Sequence, residues 1–429
     1  MSSKKTVAAL YLVQAAQHLA PLATLPYLTR VLGPDNFGKL GFAQAFSQLF
    51  VLVTDFGFNV TATRKIAICR SDKGAVSGIY WNTQFVKATL AIACATTMLL
   101  LARLVPSLRG DFVLISVAAT SLLASVLSPV WLYHGLNRLV EFSKITVAVR
   151  LSGIALTFLT VHSSQDYIHA AMIQFMLPAV AGTILTTRVF RQGTVDMRIR
   201  RITRADAVQA LRDGFHIFSG SALTVVFTYG NAIVLKFLSG DVQVGLYAAS
   251  EKLLTPMRQA YAPLTQAYFP NVCEKYASGE RAGAVRIIRK ISLAYAALGV
   301  LAVAGVWVLG PWILPIVFGR KYAGSMGIAS VQVITQVVVS VGMIETTLIL
   351  IPAGRQEVIK WVYLLAALVH LTYTYFLVRN FQAIGTAVSA LMTEVVIVTA
   401  FALVIRRQGL LVAGPGPAAS TDLPRPAVS

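Results

Sequence analysis

Gln44, Gln48, Asp55 and Asn59 stand four, seven and four positions apart, a spacing that puts side chains on one face of a helix. They sit in a run that is otherwise almost wholly apolar. Such a stripe could hydrogen-bond the hydroxyls of a ligand and, through its carboxylate, hold a cation or exchange a proton. A second stripe, Glu251, Thr255, Arg258 and Gln266, recurs about two hundred residues later, and Gln14, Gln17 and His18 share a face near the start. Glu345 follows Gln332 and Gln336, while Glu394, Lys87 and Arg150 stand alone inside apolar runs. Polar side chains in such runs most often join helices through hydrogen bonds, which suffices for Gln and Thr. A charge deep in hydrocarbon needs a partner or water, so Lys87, Arg150, Asp55, Glu345 and Glu394 are candidates to line a wettable passage. Arg103, Lys144 and Arg379 lie near the ends of runs, where their long stems can snorkel. His18, His216 and His370 are scattered and read as packing residues. No nucleophile–base pair stands out, and Cys69, Cys94 and Cys273 lack metal-ligand spacing.

The elements that must position these groups are set by composition. Of 429 residues, 56% are hydrophobic and 13% charged, with a mean hydropathy of +0.69. That balance excludes an ordinary soluble domain and indicates an all-α polytopic membrane protein. A formal charge of +20 would suggest nucleic acid in a soluble protein. Here no basic stretch carries interleaved aromatics, and membrane proteins collect Lys and Arg in cytoplasmic loops. Stretches of about 20 apolar residues fall at roughly 7–29, 40–61, 79–103, 112–133, 144–162 and 167–189, then at 211–235, 245–270, 288–315, 326–351, 358–378 and 384–405. The eighth is interrupted by Pro256 and Pro263. About 12 transmembrane helices are therefore expected. With the N-terminus in the cytoplasm, about 25 Lys and Arg lie inside against about 8 outside, which puts both termini inside. The expected units are a six-helix bundle over 1–190, a basic cytoplasmic linker over 191–210, a second six-helix bundle over 211–406 and a disordered tail over 407–429.

The chain repeats itself. "RVLGPDNFG", Arg30 to Gly38, and "KFLSGDVQVG", Lys236 to Gly245, each carry a cation, a Leu, a turn with an Asp and an apolar–Gly step into the next apolar run. "SDKGAVSGI", with Asp72, and "GERAGAVRII", with Glu280, follow at similar offsets. Six spans in each half make equivalent helices run the same way, a parallel pseudo-twofold repeat about an axis along the membrane normal. Both hinges then join the first two helices of their halves and face outward. Pro21 and Pro26 would let the first helix bend.

"LPYLTRVLGPDNFGKLGFAQAFSQLFVLVTDFGFNVTATRKIA", Leu25 to Ala67, closely resembles the first two helices of Wzx-type polysaccharide flippases, of the multidrug/oligosaccharidyl-lipid/polysaccharide exporter superfamily. "GLYAASEKLLTP" and "VFGRKYAGSMGIASVQVI" resemble it more loosely. The resemblance implies two bundles of the kind seen in MATE and MurJ proteins around a central cavity. It implies transport of undecaprenyl-diphosphate-linked glycan from the cytoplasmic to the periplasmic leaflet of a bacterial inner membrane, for O-antigen, capsule or exopolysaccharide. It also implies a proton or sodium gradient rather than a cofactor, the bilayer as surroundings, and a polysaccharide polymerase and a chain-length regulator as partners. For that cargo, Lys87, Arg150, Lys252 and Arg258 are cation candidates, with Arg30 and Lys236 at the outer mouth. Gln44, Gln48 and Asn59 are candidates for sugar hydroxyls. Asp55, Glu251, Glu345 and Glu394 are candidates for ion coupling. Bases and acids inside the spans are about balanced, which argues against the carboxylate-dominated cavity expected of a multidrug exporter. Some lipid II flippases carry helices beyond twelve. A polytopic polymerase or ligase is expected to have a large outer loop, whereas the outer loops here are short.

Overall fold

The computed structural model describes residues 3–197 and 202–411, with side chains from 23 onward except those of 226, 227, 258–260, 262 and 263. The described residues form helices joined by short turns: α1 (Ser3–Asp55), α2 (Phe58–Cys69), α3 (Lys73–Leu104), α4 (Phe112–Leu127), α5 (Val130–Gly135), α6 (Leu139–Thr160), α7 (Tyr167–Arg191), α8 (Arg204–Ala277), α9 (Arg281–Phe318), α10 (Ser325–Ile344) and α11 (Gln356–Arg407). Among the described residues nine helices are long and apolar enough to cross a membrane, and their outward faces are apolar, as at Leu159 and Trp312. Lipid is the environment those faces require.

Three helices are hinged. α1 changes direction at Gly33 (φ 71°, ψ 172°), α8 at Gly240 (φ 80°, ψ −178°) and α11 at Gln382 (φ 52°, ψ −129°). These are the places where the sequence puts boundaries between the first and second, seventh and eighth, and eleventh and twelfth expected spans. Glycine takes a positive φ without a Cβ clash. The register of the two glycine hinges is set by Gly33 and Gly240, which leaves Asp35 and Asp241 one position out of step. Asp72 and Glu280 also occupy like positions, preceding α3 and α9. Asp72 accepts from the Ala75 N–H at 3.0 Å, while Glu280 turns to Lys275 at 2.7 Å.

Three expected spans differ from the structure. The fourth is interrupted at Ser128 and Pro129, which separate α4 from α5. The second is broken: Phe56 (φ 39°) and Gly57 (φ 79°) take left-handed conformations in succession, so α1 stops at Asp55 and α2 sets off in a new direction. The eighth is unbroken, α8 running through Pro256 and Pro263 to Ala277. α8 also begins at Arg204, where Thr203 and Asp206 form a reciprocal cap, so helix reaches into the expected linker. Tail residues 412–429 and linker residues 198–201 lie outside the described residues.

Packing separates the two ends of the molecule. At the hinge end one core draws on both halves: Leu32, Phe37 and Phe42 of α1 join Leu235, Val244 and Tyr247 of α8 and Phe318 of α9. At the other end there are two separate cores. One holds Ile66, Tyr80, Trp131 and Leu185 of the first half; the other holds Val272, Ile288, Tyr295 and Phe401 of the second. On one side the start of α8 also packs on the first half: Phe58, Val86 and Ala210 cluster, Lys65 pairs with Asp213 at 2.6 Å and Phe56 stacks on Phe218.

Candidate transport site

The hinge-end contact is reciprocal. Gly33 and Gly240 lie 207 positions apart, as do Pro34 and Asp241, Gly38 and Gly245, and Gly41 and Ala248. A Cβ added at Gly38 would lie 1.8 Å from the Asp241 carbonyl oxygen, and one added at Gly245 would lie 2.0 Å from that of Pro34. At Gly41 it would meet the Ala248 Cβ at 3.0 Å. Each glycine therefore admits the backbone of the opposite half, around a local twofold relation that uses the same positions on both sides.

Charge closes the same end. The Lys236 ammonium, 8% exposed, donates to Asp111 Oδ2 at 2.8 Å and to Asp241, and lies 5.4 Å from the Phe42 ring centroid. Asp111 precedes α4 in the first half, so the ion pair crosses between halves. Lys39 pairs with Asp35 at 3.0 Å close by. Lys252 is half-buried with its ammonium 5.1 Å from the Phe37 ring centroid. Arg30 is exposed at the rim, beside Gly319.

Deeper in the first half, Lys87 and Asp55 meet. The Lys87 ammonium, 1% exposed, donates to Asp55 Oδ1 at 2.8 Å and to the Ser125 carbonyl at 2.8 Å. The Ser125 hydroxyl donates to the same carboxylate oxygen at 2.6 Å. The break after Asp55 brings the end of α1 against α3 and α4, which makes this possible. Asp55 keeps 29% of its side chain exposed, so it is the accessible member. Gln44 accepts from the Gln174 amide at 3.2 Å, and Gln48 is half-buried. Asn59 does not continue the stripe: beyond the break it is exposed on α2.

The second half holds its own polar groups. Glu345 is 7% exposed, with Oε2 lacking a hydrogen-bond partner. It opens a π-helical stretch, Glu345–Leu350, that continues α10, a local widening that often accompanies a site. It lines a cavity of about 510 Å³ with Ser292, Tyr295, Ser340 and Arg406. Glu394 is half-buried near Tyr363 and Tyr373, and Glu251 is half-buried on α8. His370 is a satisfied packing residue: one ring nitrogen meets Thr393 at 2.6 Å, the other Asn231 at 2.9 Å. Arg150 is exposed on α6. The side chains of Arg258, Gln14, Gln17 and His18 lie outside the described residues. Among the described residues no group of three metal-ligating side chains occurs.

The expected site residues thus fall into three groups, at the hinge, in the first half and in the second. Asp111, Asn231 and Thr393 are partners that sequence reading missed. For Asp111 a signal existed, since a lone acid in a short loop next to two cations invites pairing.

Comparison with known proteins agrees with this architecture. The family model described as "Polysaccharide biosynthesis protein" matches residues 3–274. A Shigella dysenteriae protein named as an O-antigen transporter is 32% identical over 404 residues, covering 92% of this chain and 98% of that one. An Escherichia coli K12 protein of the same name is 27% identical over 418 residues, covering 96% and 99%. Among solved structures, an inward-facing multidrug resistance MATE transporter of the MOP superfamily superposes with a TM-score of 0.74 at 16% identity, covering 92% of this chain and 95% of its own. The lipid II flippase MurJ in an inward closed conformation gives 0.73 at 10% identity, covering 92% and 87%. An outward-facing MATE transporter gives 0.61 at 14%. Helix order, apolar outer faces and these likenesses lead to one assignment: the chain is a multi-pass membrane protein of the polysaccharide biosynthesis protein family, with the fold of the MATE and MurJ transporters.

Proposed function

We propose that the protein is a flippase, a secondary transporter and not an enzyme, that carries undecaprenyl-diphosphate-linked oligosaccharide units from the cytoplasmic to the periplasmic leaflet of a bacterial inner membrane by alternating access. The observation that carries this reading is the packing: one core shared by both halves at the hinge end, two separate cores at the other. Charge bias puts the hinge end at the periplasm and both termini in the cytoplasm. The conformation is then closed outward, in keeping with its greater likeness to an inward-facing neighbour than to an outward-facing one. The names of the relatives supply the cargo.

In this mechanism the Lys236–Asp111–Asp241 cluster and the paired glycines form the outer gate. Opening it exchanges buried ion pairs for hydrated ones while the cytoplasmic ends come together. Lys252 and Arg30 offer positive charge towards the gate for a diphosphate, since a cation offsets the cost of bringing phosphate into low dielectric. Half-buried Gln44 and Gln48 suit sugar hydroxyls. Lys87 serves a different end: fully buried against Asp55, it fixes that carboxylate. Asp55 and Glu345 are the groups through which a proton or sodium gradient would act. A multidrug exporter for cations would use an unneutralised carboxylate in the first half, and Lys87 removes it.

The test is reconstitution of the full chain in vesicles with labelled lipid-linked oligosaccharide under an imposed pH or sodium gradient. Gradient-dependent appearance of label in the opposite leaflet is expected. Transport of cationic drugs without any movement of the glycolipid would refute the reading.

A further inference from the structure

At the end away from the hinges, the turn from α5 to α6 and the last turns of α7 enclose a pocket of about 400 Å³ that the transport site does not use. Arg138, Glu141, Lys144 and Arg188 wall it, three cations against one carboxylate. Its frame is fixed by hydrogen bonds. Asn137 takes a left-handed turn (φ 58°), and the Arg138 N–H bonds back to the Tyr133 carbonyl at 2.8 Å. Arg138 Nη1 donates to Gln192 Oε1 at 3.0 Å and to Thr194 Oγ1 at 3.2 Å. A guanidinium has five N–H donors in a planar fork, so most remain for a ligand. Arg188 forms an ion pair with Glu141, Nε to Oε1 at 3.2 Å, and the Gln192 amide donates to the same oxygen at 2.9 Å. Lys144 is exposed and makes no ion pair with the rest of the described chain.

Cations that only bias topology have no reason to converge. These converge on a concavity where α6 begins and α7 ends, and next to it α6 and α7 expose apolar side chains. Leu151, Leu156 and Leu159 on α6, and Met176, Val180 and Ile184 on α7, are all exposed. A pocket of excess positive charge continuous with an apolar surface suits a phosphodiester carrying acyl chains better than a soluble anion. We infer that this pocket binds the headgroup phosphate of an anionic membrane phospholipid, with the lipid's chains along α6 and α7. The site is independent of the cargo.

The experiment is native mass spectrometry of the full-length protein released from nanodiscs containing equal phosphatidylglycerol and phosphatidylcholine, with binding quantified for wild type and variants. Wild type is expected to retain phosphatidylglycerol preferentially. Lys144→Gln should weaken retention about fivefold and the Arg138→Gln/Lys144→Gln pair at least tenfold. Lys73→Gln, a cation at the same end whose partner is Asp196, should leave it unchanged. Both replaced positions in the pocket are exposed, and thermal unfolding of each variant checks that it is folded. Equal retention by the double variant and wild type would overturn the inference, as would an equal loss in Lys73→Gln. Displacement of the lipid by millimolar inorganic phosphate would overturn it in favour of a soluble anion.

Discussion

The side chains that sequence reading placed in opposite roles turn out to serve each other. Lys87 and Asp55, a phosphate-binding cation and an ion-coupling carboxylate by what the family resemblance implies, are one hydrogen-bonded pair closed by Ser125. Helical periodicity says which side chains share a face of one helix, but not which face of another helix meets it. Each charge was therefore legible and their union was not. The pairing makes a distinct prediction. Removing one partner of a buried ion pair costs about 3–5 kcal/mol, because the other charge is left stranded. Here Asp55 retains access to water, so Lys87→Gln should cost less, about 2 kcal/mol. The Lys87→Gln/Asp55→Asn double variant should recover part of that loss. Thermal unfolding in detergent measures both, and simple additivity of the two single effects would show that the pair is not coupled. The hinge-end lysine teaches the same lesson: Lys236 was expected at an outer mouth, and its charge is taken up by Asp111 and Asp241.

At the scale of elements, what the sequence announced most clearly was the repeated hinge, and the reason is stereochemical. A helix that must turn sharply needs a positive φ, glycine supplies it, and the flanking cation, Leu and Asp mark where hydrocarbon gives way to water. What was hidden is the second use of glycine a turn later. Gly38 and Gly245 are helical, and they are small because a backbone carbonyl of the other half lies where a side chain would begin. Gly38→Val and Gly245→Val should therefore each abolish the closed outer contact. Membrane insertion should stay normal and glycolipid transport should fall at least tenfold, to a similar extent in both, as the reciprocal geometry requires. Activity of either variant near wild type would count against the crossing. The third hinge had no such signal, because it uses Gln382 in a conformation that L side chains avoid (φ 52°, ψ −129°). Its strain should be relieved by Gln382→Gly, raising unfolding free energy by about 1 kcal/mol, read as an upward shift in thermal midpoint. The break at Phe56–Gly57 likewise escaped notice, since Asp55 and Asn59 fit the period of one unbroken helix, and so Asn59 was assigned to a face it does not share.

At the scale of the molecule, hydropathy was enough for the class, a nearly all-helical multi-pass membrane protein, because lipid constrains a spanning chain so tightly. It could not say at which end the two halves share a core. That is set by contacts between residues more than a hundred positions apart, such as Phe42 with Phe237 and Lys236 with Asp111. The central claim is that the halves are held together at the hinge end and must part there to release cargo. A Cβ added at Gly41 would lie 3.0 Å from that of Ala248 across that contact, so a separation by about half an ångström brings the pair into the Cβ range of a disulfide. The decisive measurement is glycolipid transport by a Gly41→Cys/Ala248→Cys variant in which Cys69, Cys94 and Cys273 have been replaced by Ser. Oxidised, it should be cross-linked and inactive; reduced, it should regain most of the transport of its cysteine-free parent. Full transport by the cross-linked protein would contradict the account.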